Sequence, residues 1–355
     1  MSNPYKSRQS VFTGLVILQL VFTASSYATG AASQPTHKAA GELPGERVDI
    51  GGHRLYIHCS GSGSPTVVID AGLGGFSMEW RDVQQSLSAN TRVCTYDRAG
   101  YGYSDAGPMP RTSGRIAGEL KTLLERAHVA APYVLVGHSF GGYNIRYFAS
   151  AYPELVSGLV LVDASHPEQF QKFPATQQKP ADVAARKPQQ ASQRLVSRPV
   201  MPGNYPADLR QKAFMLMSTY KARSAQSAEF LDFERSADMV RKLPVPDVPV
   251  VVLSRGKRVW PQTERGDVME KIWDELQSDL EKVSANSLHL IAANSGHSIH
   301  LDQPDAVSSA IMLTAAASRS DWDDWRRIAA RRNDQHSQPL HHGEHEPILA
   351  IAALP

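Results

Sequence analysis

The sequence predicts an α/β fold, a mainly parallel sheet with helices on its faces, and three observations carry that prediction. Short continuous apolar runs recur at Thr66-Val67-Val68-Ile69, Tyr133-Val134-Leu135-Val136, Gly158-Leu159-Val160-Leu161-Val162 and Pro249-Val250-Val251-Val252-Leu253. Unbroken runs of this kind suit parallel strands buried on both faces, where an alternating pattern would suit a sheet with one wet side. Segments of helical period lie between the runs, and strand, helix, strand, helix is the order of a parallel sheet. The third observation is local: the run at 133–136 passes through Gly137-His138-Ser139-Phe140-Gly141-Gly142 straight into Tyr143-Asn144-Ile145-Arg146-Tyr147-Phe148-Ala149, which reads as a helix.

That strand-to-helix turn puts Ser139 at its tip. Gly137 and Gly141 stand two residues either side, where side chains would collide as the strand folds back on the helix. The turn exposes the serine hydroxyl and sets the Phe140 N–H at a helix start, where unpaired amides and the helix dipole favour a developing negative charge.

The remaining elements follow in order. Met1 to about Ala28 has the form of a targeting segment: Lys6 and Arg8 precede an apolar run from Val11 to Phe22, and Ser26-Tyr27-Ala28 offers a small-x-small cleavage site. The alternative is an uncleaved anchor; the run is short for a membrane span, and no later stretch approaches about 18 apolar residues. Residues 29–45 are a linker. The formal charge of +2 and the lack of a basic cluster with interleaved aromatics give no indication of a nucleic-acid partner.

Arg47-Val48-Asp49-Ile50 and His53 to Cys59 are extended runs joined by Gly51-Gly52, a hairpin. After the 66–69 strand comes Ala71-Gly72-Leu73-Gly74-Gly75, a loop able to bring a backbone N–H close to a ligand, with Leu73 the candidate donor. Arg92-Val93-Cys94-Thr95-Tyr96 is another strand. Ile116, Leu120, Leu123, Leu124 and Ala127 make 113–128 an amphipathic helix. The strand at 158–162 ends on Asp163, and then the rhythm fails. Residues 168–203 are rich in Gln, Lys, Pro and Ala, a solvated excursion. Residues 206–242 return to helical patterning, with Phe214, Leu216, Met217, Tyr220, Phe230, Leu231 and Phe233 available to bury. We expect 164–243 to form a cap over the strand ends, between core segments 46–163 and 244–318. Residues 264–283 look helical, with Val268, Ile272, Trp273, Leu276 and Leu280 on one side. A last strand at 288–292 leads into Asn294-Ser295-Gly296-His297-Ser298-Ile299-His300, and Pro304 opens the closing helix.

With these residues in view, the chain resembles the α/β-hydrolase superfamily, and within it exported bacterial serine hydrolases of the lipase and esterase type, over roughly residues 46–316. The resemblance rests on Gly137-His138-Ser139-Phe140-Gly141-Gly142, on Asp97-Arg98-Ala99-Gly100-Tyr101-Gly102-Tyr103-Ser104, and on Ser295-Gly296-His297 leading to Leu301-Asp302-Gln303-Pro304. It implies a mainly parallel eight-stranded sheet with the cap inserted after strand 6. It also implies Ser139 as nucleophile, His297 as general base, and the Phe140 and Leu73 amides as oxyanion hole.

The chemistry accounts for the residue types. A serine hydroxyl is a weak nucleophile at neutral pH, so an imidazole must take its proton and return it to the leaving group, and a carboxylate must hold the imidazole tautomer. His300 is the near rival of His297. His138 is the structural neighbour of the nucleophile, and His166 a candidate pocket residue. The acid departs from the commonest family pattern: where Gly-x-x-Asp is expected after Leu253, Gly256 is followed by Lys257, Arg258 and Val259. Asp163, at the preceding strand end, takes that place in some families of this fold; Glu264 and Asp267 stay open as alternatives, as does the absence of an acid.

In the family's sheet order the strands carrying Cys59 and Cys94 are neighbours, so a disulfide is available to an exported protein; two buried thiols are the alternative. Residues 319–355, with His336, His341, His342 and His345, leave the family pattern and match no zinc spacing, so a mobile tail is expected. The expectation is thus a periplasmic or secreted serine hydrolase acting on small-molecule carboxylic esters, with no metal or organic cofactor and no stable membrane span after leader cleavage. Other acyl chemistry on the same fold, or a catalytically silent binding protein, are the alternatives. Oligomeric state leaves no mark in the sequence.

Overall fold

A computed structural model describes residues 44–174, 202–244 and 247–319. The leader, most of the linker, the tail and residues 175–201 of the polar excursion lie outside them.

Eight strands form one sheet: β1 Glu46–Asp49, β2 Arg54–Ser60, β3 Thr66–Asp70, β4 Val93–Asp97, β5 Tyr133–His138, β6 Val156–Val162, β7 Val250–Arg255 and β8 Ser287–Ala292. Their order is β1-β2-β4-β3-β5-β6-β7-β8. The pairs β1/β2 and β2/β4 are antiparallel and the rest parallel. The predicted hairpin turns at Gly51 and Gly52, whose φ of +98° and +106° only glycine adopts without strain.

Helices cover both faces: α1 Arg81–Leu87, α2 Ser113–Arg126, α3 Gly141–Ala151, α4 Gln169–Lys172, α5 Ala207–Met217, α6 Tyr220–Leu231, α7 Phe233–Arg241, α8 Glu264–Asp279, α9 Ile299–Asp302 and α10 Pro304–Ala317. Successive strand residues serve opposite faces, so one apolar run fills two cores. Val68, Leu135, Leu159 and Val252 pack with Leu120, Leu123 and Leu124 of α2 and Ile145 and Phe148 of α3. Val67, Ile69, Val134, Val136, Val160 and Val251 pack with Val83 and Leu87 of α1 and Val307 and Ile311 of α10. All are buried, and each such side chain contributes roughly 1.5–3 kcal/mol of transfer free energy.

Cys59 and Cys94 face each other across β2 and β4 and are joined in a disulfide. Among the described residues no helix is long and apolar enough to cross a membrane, and no cluster of side chains is arranged to hold a metal ion.

The helices between β6 and β7 correct one sequence expectation. Tyr220, Phe230 and Leu231 are exposed, at 83%, 55% and 73%, while Phe233 is buried. The inward face of α6 is made instead of Ala222, Ala225 and Glu229. A Cβ on Gly100 would lie 2.4 Å from the Ala225 Cβ, so the backbones approach too closely for large side chains. In α8, Trp273, Leu276 and the following Leu280 are buried, and Val268 is exposed.

Candidate active site

The turn at Ser139 is built by close backbone approach. A Cβ on Gly137 would come within 2.6 Å of the Gly141 carbonyl oxygen, and one on Gly141 within 2.3 Å of the Asp70 carbonyl oxygen. Only bare glycines let β5 double back onto α3 and α3 lean on the end of β3. Ser139 has φ +50°, the left-handed region that a side chain enters at a cost, and is held there by its N–H donating to Val162 O at 3.2 Å and its carbonyl accepting from Ser165 N at 3.0 Å. Phe140 follows with its ring fully buried against Tyr143 and Phe233.

Gly72 lies against this turn: a Cβ there would meet His138 Nδ1 at 2.7 Å and Ser139 Cβ at 3.3 Å. The loop carrying Leu73 therefore passes beside the serine. Neither the Phe140 nor the Leu73 N–H donates a hydrogen bond among the described residues, which leaves both amides available at a buried site.

His297 sits in the loop after β8, with its side chain 40% exposed. Its Nδ1 is 2.6 Å from Asp163 Oδ2. Asp163 is fully buried just past β6, with φ +38°. Its Oδ1 accepts from Trp273 Nε1 at 2.9 Å and from the Arg255 N–H at 3.3 Å, and its Oδ2 also accepts from Arg255 Nη1 at 3.0 Å. Burial pushes the carboxyl up, but the His297 hydrogen bond, the His297 and Arg255 charges and the Trp273 donor outweigh it and hold the group at about 2. An ionised carboxylate only accepts, so in the neutral form of His297 the proton stands on Nδ1 and the Nε2 lone pair can take another.

His138 packs its ring 4.7 Å from that of His297 and donates Nε2–H to the His297 carbonyl at 2.9 Å. Burial, followed by the His297 charge, pushes it down to about 3, so it stays neutral and tethers the histidine loop beside the serine. His300, the rival base, is buried and stacked on Trp80 at 4.3 Å, with neither ring nitrogen hydrogen-bonded among the described residues. His166 Nε2 bonds Asp279 at 3.1 Å. Of the alternative acids, Asp267 is exposed and paired with Arg258 at 2.6 Å, and Glu264 is exposed in the first turn of α8; neither bonds His297.

Three partners of this site escaped sequence reasoning. Arg255 and Trp273 flank Asp163, and the one signal for Arg255 was a cation ending a mainly apolar strand. Glu229 is fully buried on α6 and binds Arg98, with no signal short of the fold.

The model of the alpha/beta hydrolase family matches residues 57–310. The chain is 28% identical over 258 residues to the uncharacterised protein YqjL of Bacillus subtilis, covering 72% of this chain and 85% of the relative. It is 36% identical over 135 residues to "Probable transporter efuK" of Hormonema carpetanum, covering 36% of this chain but only 19% of that protein. In structure it is similar to a thermophilic esterase from Thermogutta terrifontis, with TM-score 0.53, 19% identity, and 78% of this chain and 100% of that one covered. With a match across most of its length, an eight-stranded mainly parallel sheet and a serine turn between strand and helix, the chain belongs to the alpha/beta hydrolase family.

Proposed function

We propose that the protein hydrolyses carboxylic esters of small molecules through an acyl-enzyme, with Ser139 as nucleophile, His297 as general base and Asp163 as the orienting acid. The observation that carries this reading is the His297 Nδ1 to Asp163 Oδ2 hydrogen bond of 2.6 Å to a buried, ionised carboxylate beside the serine turn. In the first step Ser139 Oγ bonds the ester carbonyl carbon, its proton passes to His297 Nε2, and the carbonyl oxygen becomes an oxyanion facing the Phe140 and Leu73 N–H groups. Collapse breaks the bond to the alcohol, which takes the proton from His297. Water then repeats the sequence, releasing the carboxylic acid and restoring Ser139. Asp163 stays ionised throughout and stabilises the imidazolium.

The similarity to the Thermogutta esterase supports ester chemistry as the first substrate class to try. Residues 164–243 act as the cap that sets acyl and alcohol preference. The Cys59–Cys94 disulfide, together with the leader read from the sequence, supports a periplasmic or secreted location.

A fluorophosphonate probe and a series of p-nitrophenyl esters of increasing chain length test the proposal. The wild type should label at Ser139 and turn over at least one ester, and Ser139→Ala should do neither. A folded wild type that does neither is a silent binding protein.

A further inference from the structure

We propose that Glu229, on the inserted helix α6, is a positioning residue that aims the oxyanion donor of Leu73 by way of Arg98; the inference rests on the serine-hydrolase reading above.

Arg98 is 2% exposed, and all five of its N–H donors are engaged. Nε and Nη2 form a fork onto Glu229, at 2.8 Å to Oε1 and 2.9 Å to Oε2. Nη1 bonds Asp70 Oδ1 at 2.7 Å and the Ala71 carbonyl at 2.6 Å, and the second Nη2 proton goes to the Gly72 carbonyl at 2.8 Å. The last bond is the one that matters for chemistry. The Gly72 C=O and the Leu73 N–H belong to one planar trans peptide, so they point in opposite directions. A guanidinium that fixes the carbonyl on one side fixes the direction of the N–H on the other. A Cβ on Gly72 would lie 3.3 Å from Ser139 Cβ, so this peptide passes beside the nucleophile, and the Leu73 N–H has no partner among the described residues.

Glu229 holds the guanidinium in this pose. It is fully buried, its fork is bidentate, and Tyr101 Oη donates to its Oε2 at 2.9 Å. The rest of the α6 face repeats the contact at spacings of four. Lys221 Nζ donates to the carbonyls of Gly102, at 2.8 Å, and Ser104, at 2.5 Å, and Ala225 packs on Gly100. Gln226 Nε2 lies 2.7 Å from the position a Cβ on Gly74 would take. This helix of the insertion therefore rests on both loops, 98–104 and 71–75, as a brace.

The test is Glu229→Gln, in which an amide nitrogen replaces one acceptor and faces a guanidinium that has no lone pair to offer it. Removing a single oxyanion donor lowers kcat by about 10²–10³, so a misaimed Leu73 N–H should lower kcat by about 10²-fold with KM changed less than about threefold. A trifluoromethyl ketone, which adds Ser139 Oγ and forms a hemiketal oxyanion, should lose affinity by the same factor as kcat/KM. A purely structural role would lower Tm without linking these two losses. Kcat within about threefold of wild type in the folded variant, or a loss confined to KM with the ketone bound as before, overturns the proposal. Should Glu229→Gln fail to fold, Tyr101→Phe removes only the hydroxyl that holds Oε2. It should lower kcat by about three- to tenfold at unchanged KM, and full kcat overturns the idea. An inactive, unlabelled wild type removes the serine-hydrolase reading and this one together, whereas an active wild type with an equally active variant removes this one alone.

Discussion

Arg255 Nη1 lies 3.0 Å from Asp163 Oδ2, the same oxygen that receives His297 Nδ1 at 2.6 Å. Arg255 ends β7 and Asp163 follows β6, its neighbour in the sheet, with the Asp163 N–H donating to Leu253 O at 2.8 Å. The end of β7 thus carries a cation directed at a carboxylate one strand away. Glu270 Oε2 holds Arg255 Nη2 at 2.9 Å, and Trp260 and Trp273 lie against its guanidinium at 4.7 and 5.0 Å.

The first prediction concerns that carboxylate. Asp163→Asn keeps the shape but offers His297 the wrong hydrogen-bonding partner, and the equivalent change in a serine protease triad costs about 10⁴ in kcat. Glu264→Gln and Asp267→Asn should stay near wild type, because both carboxylates are exposed and a surface pair such as Asp267–Arg258 is worth little. Ester turnover of the three variants, each shown to be folded by circular dichroism, decides. Near-normal activity in Asp163→Asn with collapse in either of the others would move the role to the loop.

Acid should lower the protein's stability in two stages. Burial lowers His138 from 6.5 to about 3 and His166 to about 4, so the unfolded chain binds protons there that the native one does not. Stability from these groups is present above about pH 6.5 and is lost as pH falls through the lowered values. Asp163, lowered from 3.8 to about 2, adds a second loss that starts below about pH 4 and continues towards 2. Its share is of the order of 2 kcal/mol. Urea midpoints measured from pH 7 to 2 check both stages. Replacing Asp163 by Asn should flatten the lower one, and an unchanged slope below pH 4 would show that Asp163 does not contribute.

Gly141→Ala should be among the most damaging single-methyl changes in the chain. The added carbon would sit 2.3 Å from a backbone oxygen of β3, which has no rotamer with which to yield. A loss on the order of 3 kcal/mol is expected from overpacking. Gly118→Ala, on α2 with nothing within 4 Å of the new carbon, should instead be neutral or slightly stabilising. Thermal unfolding of the two variants compares them directly.

The Cys59–Cys94 bridge closes a loop between residues 35 apart. By chain entropy such a closure contributes ~3–4 kcal/mol. The unreduced protein should show no thiol reactive to a maleimide, and reduction should lower Tm. Two reactive thiols before reduction would contradict the bridge.

Much of the fold was legible because it is written in short-range chemistry. Apolar runs at 66–69, 133–136, 158–162 and 249–253 mark strands buried on both sides, and Gly137 and Gly141 around Ser139 mark a turn in which two backbones touch. These are properties of neighbours along the chain, so spacing and residue type suffice to read them. The proposed acid is of a different kind: in the sequence Asp163 follows one strand and Glu264 and Asp267 stand beyond the next, three carboxylates that spacing does not separate. Only the order of the strands brings Asp163 to His297, across a separation of 134 residues, and leaves Asp267 with Arg258. The inward face of α6 was misread for the same reason. Large side chains at 220, 230 and 231 suggest burial by hydrophobicity, but the partner surface is the bare backbone at Gly100, which admits Ala225 and leaves room for Glu229 to meet Arg98 from 131 residues away. Hydrophobicity and period are local quantities, whereas complementarity between two surfaces exists only once both have been brought together.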